Sequence, residues 1–119
     1  MATAREIPQE IRDMTRLIAG AVPCEAIYLF GSFAYGTPHA HSDYDLFLAL
    51  PEGGLSVRRA LFEARYALRG FDYSRDLDLL AAPARQLAES KGLRGCVESE
   101  ILEKGVLLYA ARRPDARVA

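Results

Sequence analysis

The chain has 119 residues, of which half are hydrophobic and 26% charged, and its formal net charge is −1. This is the composition of a globular domain large enough for one core, expected to occupy residues 1–119 as a single unit. The near-zero charge argues against a surface devoted to long nucleic acid, and no apolar run approaches the roughly 20 residues that span a membrane.

Ile7, Ile11, Met14 and Ile18 recur at helical spacing, with Leu17 beside them. Pro8 suits a first turn and Pro23 forbids continuation, so a helix is predicted from about Pro8 to Ala21. Gln9, Glu10, Arg12, Asp13 and Arg16 make its solvated face. Cys24 follows. With Cys96 it shows no metal-ligand spacing, and the two are read as buried thiols rather than a disulfide. The early acids of the N-terminus do not form a signal-peptide pattern, so a cytoplasmic location is expected.

Ala26 to Phe30 is a short apolar run that reads as a buried strand. Gly31 breaks it with a sharp turn and leaves room for close approach. Ser32 is placed to cap a short helix over Phe33 to Tyr35, whose free amides would attract an anion. A loop containing Gly36, Pro38, His39 and His41 leads to Ser42, which is expected to shape the turn by local hydrogen bonding. The two histidines have no third soft ligand nearby and are read as exposed loop residues. A second strand then runs from Tyr44 to Leu50. Asp43 and Asp45 are two residues apart. In an extended chain they share a face with roughly 6.5–7 Å between Cα atoms, a spacing at which two carboxylates can share or bridge hard divalent ions. Tyr44, Leu46, Leu48 and Leu50 point the other way, into packing. Like charges side by side repel, so the strand should be strained until a cation binds.

Pro51 to Gly54 is a loop. Ser56 to Gly70 returns to helical periodicity, with Val57, Leu61, Ala64 and Leu68 on one face and Arg58, Arg59, Arg65 and Arg69 as a basic, solvated side. A third strand is predicted over Asp72 to Ala81, with Asp76 and Asp78 on the face opposite Leu77 and Leu79. Pro83 opens a helix to about Ser90, a last helix spans about Gly95 to Lys104 with Gly105 as its cap, and Val106 to Tyr109 forms a fourth strand. The tail from Arg112 is expected to fray.

Gly31-Ser32, three residues, Gly36, five residues, then Ser42-Asp43-x-Asp45-Leu46 resembles the signature of the DNA-polymerase-β-like nucleotidyltransferase superfamily. The length resembles its minimal prokaryotic members, and the resemblance covers nearly the whole chain. It implies an α/β (α+β) nucleotidyltransferase fold: a small mixed sheet of about four strands flanked by helices. It implies transfer of a nucleoside monophosphate, AMP from ATP, to a hydroxyl. Asp43, Asp45 and a third carboxylate would hold two Mg²⁺ ions, while Gly31, Ser32 and Ser42 would bind the nucleotide. Leu77-Asp78-Leu79-Leu80 matches the third-carboxylate pattern best, with Asp76 as the rival. Relatives often have Arg where this chain has Tyr35, and one of the helix arginines could supply that charge. Minimal members are often antitoxins that adenylylate a tyrosine on a small helical HEPN-domain partner. The alternatives are an aminoglycoside-type enzyme, which usually carries an extra helical domain, and a non-catalytic partner-binding module.

Overall fold

The computed structural model describes residues 7–36 and 38–111. The expected fraying of the tail from Arg112 concerns residues outside that range. In chain order the elements are α1 (Gln9–Ala21), β1 (Ala26–Phe30), α2 (Ser32–Tyr35), β2 (Tyr44–Leu50), α3 (Val57–Ala67), β3 (Leu77–Pro83), α4 (Ala84–Glu89), α5 (Val97–Lys104) and β4 (Val106–Ala110). The strands form one sheet in the order β3-β2-β1-β4. β1 is antiparallel to β2 and to β4, whereas β2 and β3 are parallel and joined through α3. The sheet is therefore mixed, as the motif resemblance implied. None of the described helices is long and apolar enough to cross a membrane.

The alternation of β2 decides which helices lie where. Tyr44, Leu46, Leu48 and Leu50 join Ile27 and Leu29 of β1 against Ile11, Met14 and Ile18 of α1 and Ala60 and Ala64 of α3. The sequence reading buried only this face. In the structure the opposite face is a second core, where Phe30, Phe47 and Ala49 meet Leu87 of α4 and Ile101 of α5. Burying a side chain such as Phe47 stabilises by about 1.5–3 kcal/mol. That offsets the cost of drawing Asp45, two residues earlier on the same face, partly out of water.

Local chemistry explains most boundaries. Ser56 Oγ accepts the Arg59 amide at 3.1 Å and starts α3. Val22, extended just ahead of Pro23, ends α1. Gly105 ends α5 without a left-handed turn. Its Cα instead sits so close to the Ile101 carbonyl that an added Cβ would lie 2.6 Å from the oxygen.

Two expectations need correction. The third strand begins at Leu77 rather than Asp72, because Ser74 and Arg75 bond instead to α1 and to the loop before β2. Glu10, expected on the solvated face of α1, is only partly exposed. It accepts hydrogen bonds from Tyr44 and Ser74, and these partners, with Arg75 nearby, hold its carboxyl below the ordinary range although burial pushes it up.

Candidate active site

Gly31 and Gly36 frame a single helical turn. Gly31 is the residue before α2, with φ +77° and ψ −164°, and Gly36 closes the turn with φ +83°. Both conformations strongly favour glycine. The Gly-x4-Gly spacing of the motif is thus the length of one turn held between two such residues. Gly31, not Ser32, occupies the cap position, and Ser32 is the first helical residue. The amides of Ala34 and Tyr35 already bond to the Gly31 carbonyl, each at 3.0 Å, so the amides of Ser32 and Phe33 are the ones ahead of the intrahelical ladder.

The room above Gly31 is filled by the chain itself. A Cβ at this position would stand 2.0 Å from Asp45 Oδ2 and 2.8 Å from its Cγ. Asp45 lies across the turn because Phe30 and Asp45 are paired residues of β1 and β2, and Gly31 is the next residue along. The carboxylate is thereby set against the backbone of the Gly-Ser turn.

Parallel pairing of β2 and β3 puts Asp78 directly opposite Asp45, on strands about 4.8 Å apart. Asp43 is exposed at the entrance to β2, and Asp78 is exposed on β3, whereas Asp45 is half-buried. Burial, followed by the charges of Asp78 and then Asp43, raises the Asp45 carboxyl to about 6. Asp76 lies just before β3. Its carbonyl accepts the Tyr44 amide at 2.9 Å, and its carboxylate is not among the charges that act on Asp45. Register, which a single strand's sequence does not contain, separates the two rivals spatially.

The donor chemistry fits a hard divalent cation: three carboxylates, two exposed and one pushed towards protonation by burial and then by the other two. Among the described residues no three His, Cys, Asp or Glu side chains converge into a ready-made metal cage, so the acids form an open rim.

Ser42 is buried at the base of the loop, where its Oγ accepts the His39 amide at 2.8 Å while its own amide donates to the His39 carbonyl at 3.0 Å. This is the local turn-shaping expected of it. His39 and His41 are exposed, as expected, and the His41 amide donates to His39 Nδ1 at 3.2 Å. Tyr35 packs half-buried in α2. Burial raises its phenol, with Glu100 and Asp45 adding to the shift and a backbone hydrogen bond at Gly31 opposing it.

Arg59 and Arg65 of α3, and Arg69 just beyond it, are engaged elsewhere than at Tyr35. Arg59 pairs with Glu63 at 2.7 Å, Arg65 donates to the Leu77 carbonyl at 3.1 Å, and Arg69 stacks 3.9 Å over Tyr66. Their helix covers the sheet face opposite Asp45. The cations that border the motif are Lys104, 6.0 Å from the Tyr35 ring, and Arg75, 5.1 Å from the Phe33 ring. Neither stood out in the sequence, because both reach the motif from remote segments. Lys104, Glu103, Ala34 and Tyr35 line a cavity of about 280 Å³. A cavity of about 530 Å³ lies farther along, between residues 92 and 104; neither contains the three carboxylates.

The family model described as Polymerase beta, Nucleotidyltransferase matches residues 14–113. The chain belongs to this nucleotidyltransferase family. Its fold is similar to that of a protein of Sulfolobus solfataricus assigned as a nucleotidyltransferase, with 17% identity and a TM-score of 0.60 over 88% of this chain and 81% of that one. It is also similar to a toxin–antitoxin structure with AMP-PNP, with 22% identity and a TM-score of 0.57 over 92% of this chain and 79% of that one. A mutant of the MntA–HpeT toxin–antitoxin pair shares 20% identity with a TM-score of 0.55, covering 87% and 76% of the two chains. At these identities the shared property is the fold. No curated protein matches the chain.

Proposed function

We propose that this nucleotidyltransferase-family chain transfers AMP from ATP to a hydroxyl, with Asp43, Asp45 and Asp78 as its metal-binding carboxylates. The observation that carries this reading is the seat of Asp45: against the Gly31 turn on one side and opposite Asp78 on the other. A phosphate chain resting on the Ser32 and Phe33 amides would lie beside that carboxylate. Mg²⁺, when bound, supplies charge neutralisation on the triphosphate and a lowered pKa for the attacking hydroxyl.

The residues divide the work. Gly31 permits the turn, Ser32 and its amide orient the phosphates, and Asp43 and Asp45 fix where positive charge can sit. The acceptor oxygen bonds to the α-phosphorus, the bond to the β-phosphate's bridging oxygen breaks, and pyrophosphate leaves. The acceptor's proton passes to Asp78. Most of the rate would come from alignment and charge neutralisation.

For the acceptor we favour a tyrosine on a HEPN-type toxin partner, with this chain as the antitoxin. The fold likeness to chains from toxin–antitoxin structures, one of them with AMP-PNP, supports that direction. The test is incubation with α-labelled ATP and Mg²⁺, alone and with a co-expressed helical partner, beside Asp45→Asn. Label on the partner that is absent with the variant is the expected result. Label on small hydroxyl compounds alone would move the acceptor to another class. ATP turnover equal in wild type and Asp45→Asn would overturn the site.

A further inference from the structure

The loop that delivers Asp43 is held by a residue thirty-two positions later. Arg75 Nη1 donates to three backbone carbonyls, those of His39 at 3.1 Å, Ala40 at 3.1 Å and Ser42 at 3.0 Å. Three carbonyl oxygens aimed at one point repel unless a cation sits among them, and here the guanidinium is that cation. It is held from behind by the Phe33 ring of α2, 5.1 Å away. Phe33 in turn packs edge-on against Tyr44, with ring centroids 5.0 Å apart.

The neighbouring residue completes the brace on the other side. The Ser74 amide donates to Glu10 Oε2 at 2.7 Å and its hydroxyl to Glu10 Oε1 at 2.8 Å. Tyr44, the residue between the two motif carboxylates, donates its hydroxyl to Glu10 Oε1 as well. The Tyr44 amide is pinned to the Asp76 carbonyl at 2.9 Å. Both neighbours of Asp43 in the chain are thus tied to residues 74–76, through Ser42 on one side and Tyr44 on the other.

We propose that Arg75, seated on Phe33 and gripping the carbonyls of His39, Ala40 and Ser42, is a positioning residue that holds Asp43 in place for the cation, with Glu10 as its anchor on α1 through Ser74 and Tyr44. The inference rests on the assignment of Asp43 as a metal-binding carboxylate, and it gives residues 72–76 a purpose that a strand would not serve. In this role Arg75 acts through the backbone that carries Asp43 rather than on substrate or reacting atoms. It acts by limiting where the 39–43 backbone can move, since a ligand displaced by about 1 Å can cost a hundredfold in rate.

The test uses the whole chain with Arg75→Met, which keeps an apolar side chain on Phe33 but removes the donor, and Arg75→Lys, which keeps charge but not the planar fork. Amide hydrogen exchange at residues 39–43 is read alongside β1. In Arg75→Met the His39 and Ser42 amides should exchange at least about tenfold faster, while β1 keeps its protection. Mg²⁺ alone is then titrated against melting temperature. The variant should need several-fold more Mg²⁺ for the same rise, with Arg75→Lys intermediate. Unchanged exchange at 39–43, or equal loosening of β1, would overturn the brace. Faster loop exchange with unaltered Mg²⁺ response would overturn the positioning role. If Mg²⁺ stabilises wild type as expected but no nucleotidyl transfer is found with any acceptor, the brace stands and the transfer reading falls.

Discussion

Replacing Gly31 by alanine should damage this protein twice, and the two injuries can be measured separately. At φ +77° and ψ −164° the backbone lies in a region that is essentially glycine-only, which costs an alanine of order 1–3 kcal/mol. The added Cβ would also stand 2.0 Å from Asp45 Oδ2 and 2.8 Å from Cγ. Asp45 must therefore rotate away or the turn must shift, at a cost of about 1–3 kcal/mol for overpacking. If Asp45 swings free the second cost shrinks towards zero, so a total of about 1–5 kcal/mol is expected. Urea unfolding gives this directly from the shift in midpoint at constant slope, and a thermal scan should fall by roughly 4 °C per kcal/mol. Because the carboxylate that moves is the one set beside Asp78, Mg²⁺ should stabilise the variant far less than wild type. A Gly31→Ala protein within about 0.5 kcal/mol of wild type, with the same Mg²⁺ response, would refute the reasoning.

Asp45 predicts a pH dependence. Its carboxyl is raised to about 6 from 3.8, so between those values the folded chain binds more protons than the unfolded one, and stability should fall as pH rises through that window and level off above it. Full conversion of the shift gives about 3 kcal/mol, but the group is more than half open to water and about 1 kcal/mol is expected after screening; urea titrations at pH 4.5 and 7.5 without metal check it, and a rise in stability attributable to Asp45 across that span would count against the buried-acid account. Asp78→Asn should abolish transfer by about 10²–10³-fold while slightly stabilising the metal-free protein by removing repulsion on Asp45. Asp76→Asn should leave Asp45 titrating as before, and NMR titration of the carboxyl carbons distinguishes the two. Cys24 is buried and its thiol is pushed up to about 11 by desolvation, so a thiol reagent at pH 8 should label the half-buried Cys96 first; equal rates at both would show that the α1–β1 corner opens readily.

The fold was legible in the sequence wherever a local pattern coincided with a tertiary role. β1 and β2 run from Ala26 to Phe30 and from Tyr44 to Leu50 as expected, because continuous apolar runs bounded by glycine and proline leave few alternatives. The helices shift by one to three residues at their ends, where capping rather than periodicity decides. The burial of both faces of β2 escaped notice because Asp45 dominates the reading of its face. Phe47 and Ala49 follow it in alternation and needed helices of their own, which α4 and α5 supply from the far end of the chain.

The candidate site divides along the same line. Gly31, Ser32, Asp43 and Asp45 lie within fifteen residues, so spacing alone brings them together. Leu77-Asp78-Leu79-Leu80 favours Asp78 by its resemblance to the motif, but its place opposite Asp45 depends on the register of a parallel pair across the α3 crossover. The segment 72–76 shows why. The alternation of acids and leucines from Asp76 to Leu79, with Asp72 and Tyr73 ahead of it, mimics a longer strand, but Ser74 and Arg75 have better uses: Glu10 offers two carboxylate oxygens, and the loop before Asp43 offers three carbonyls. The five interactions of Ser74 and Arg75 with charged partners or through a charged donor outweigh a few ladder bonds at a sheet edge, since hydrogen bonds to charged groups stabilise by about 1.5–3 kcal/mol each against about 1 for neutral ones. The strand is therefore shortened in favour of the contacts that fix Asp43. A carboxylate meant to meet a cation is better held from outside its own strand, because the ladder fixes the backbone from Tyr44 onward and leaves the residue before it to whatever grips the loop.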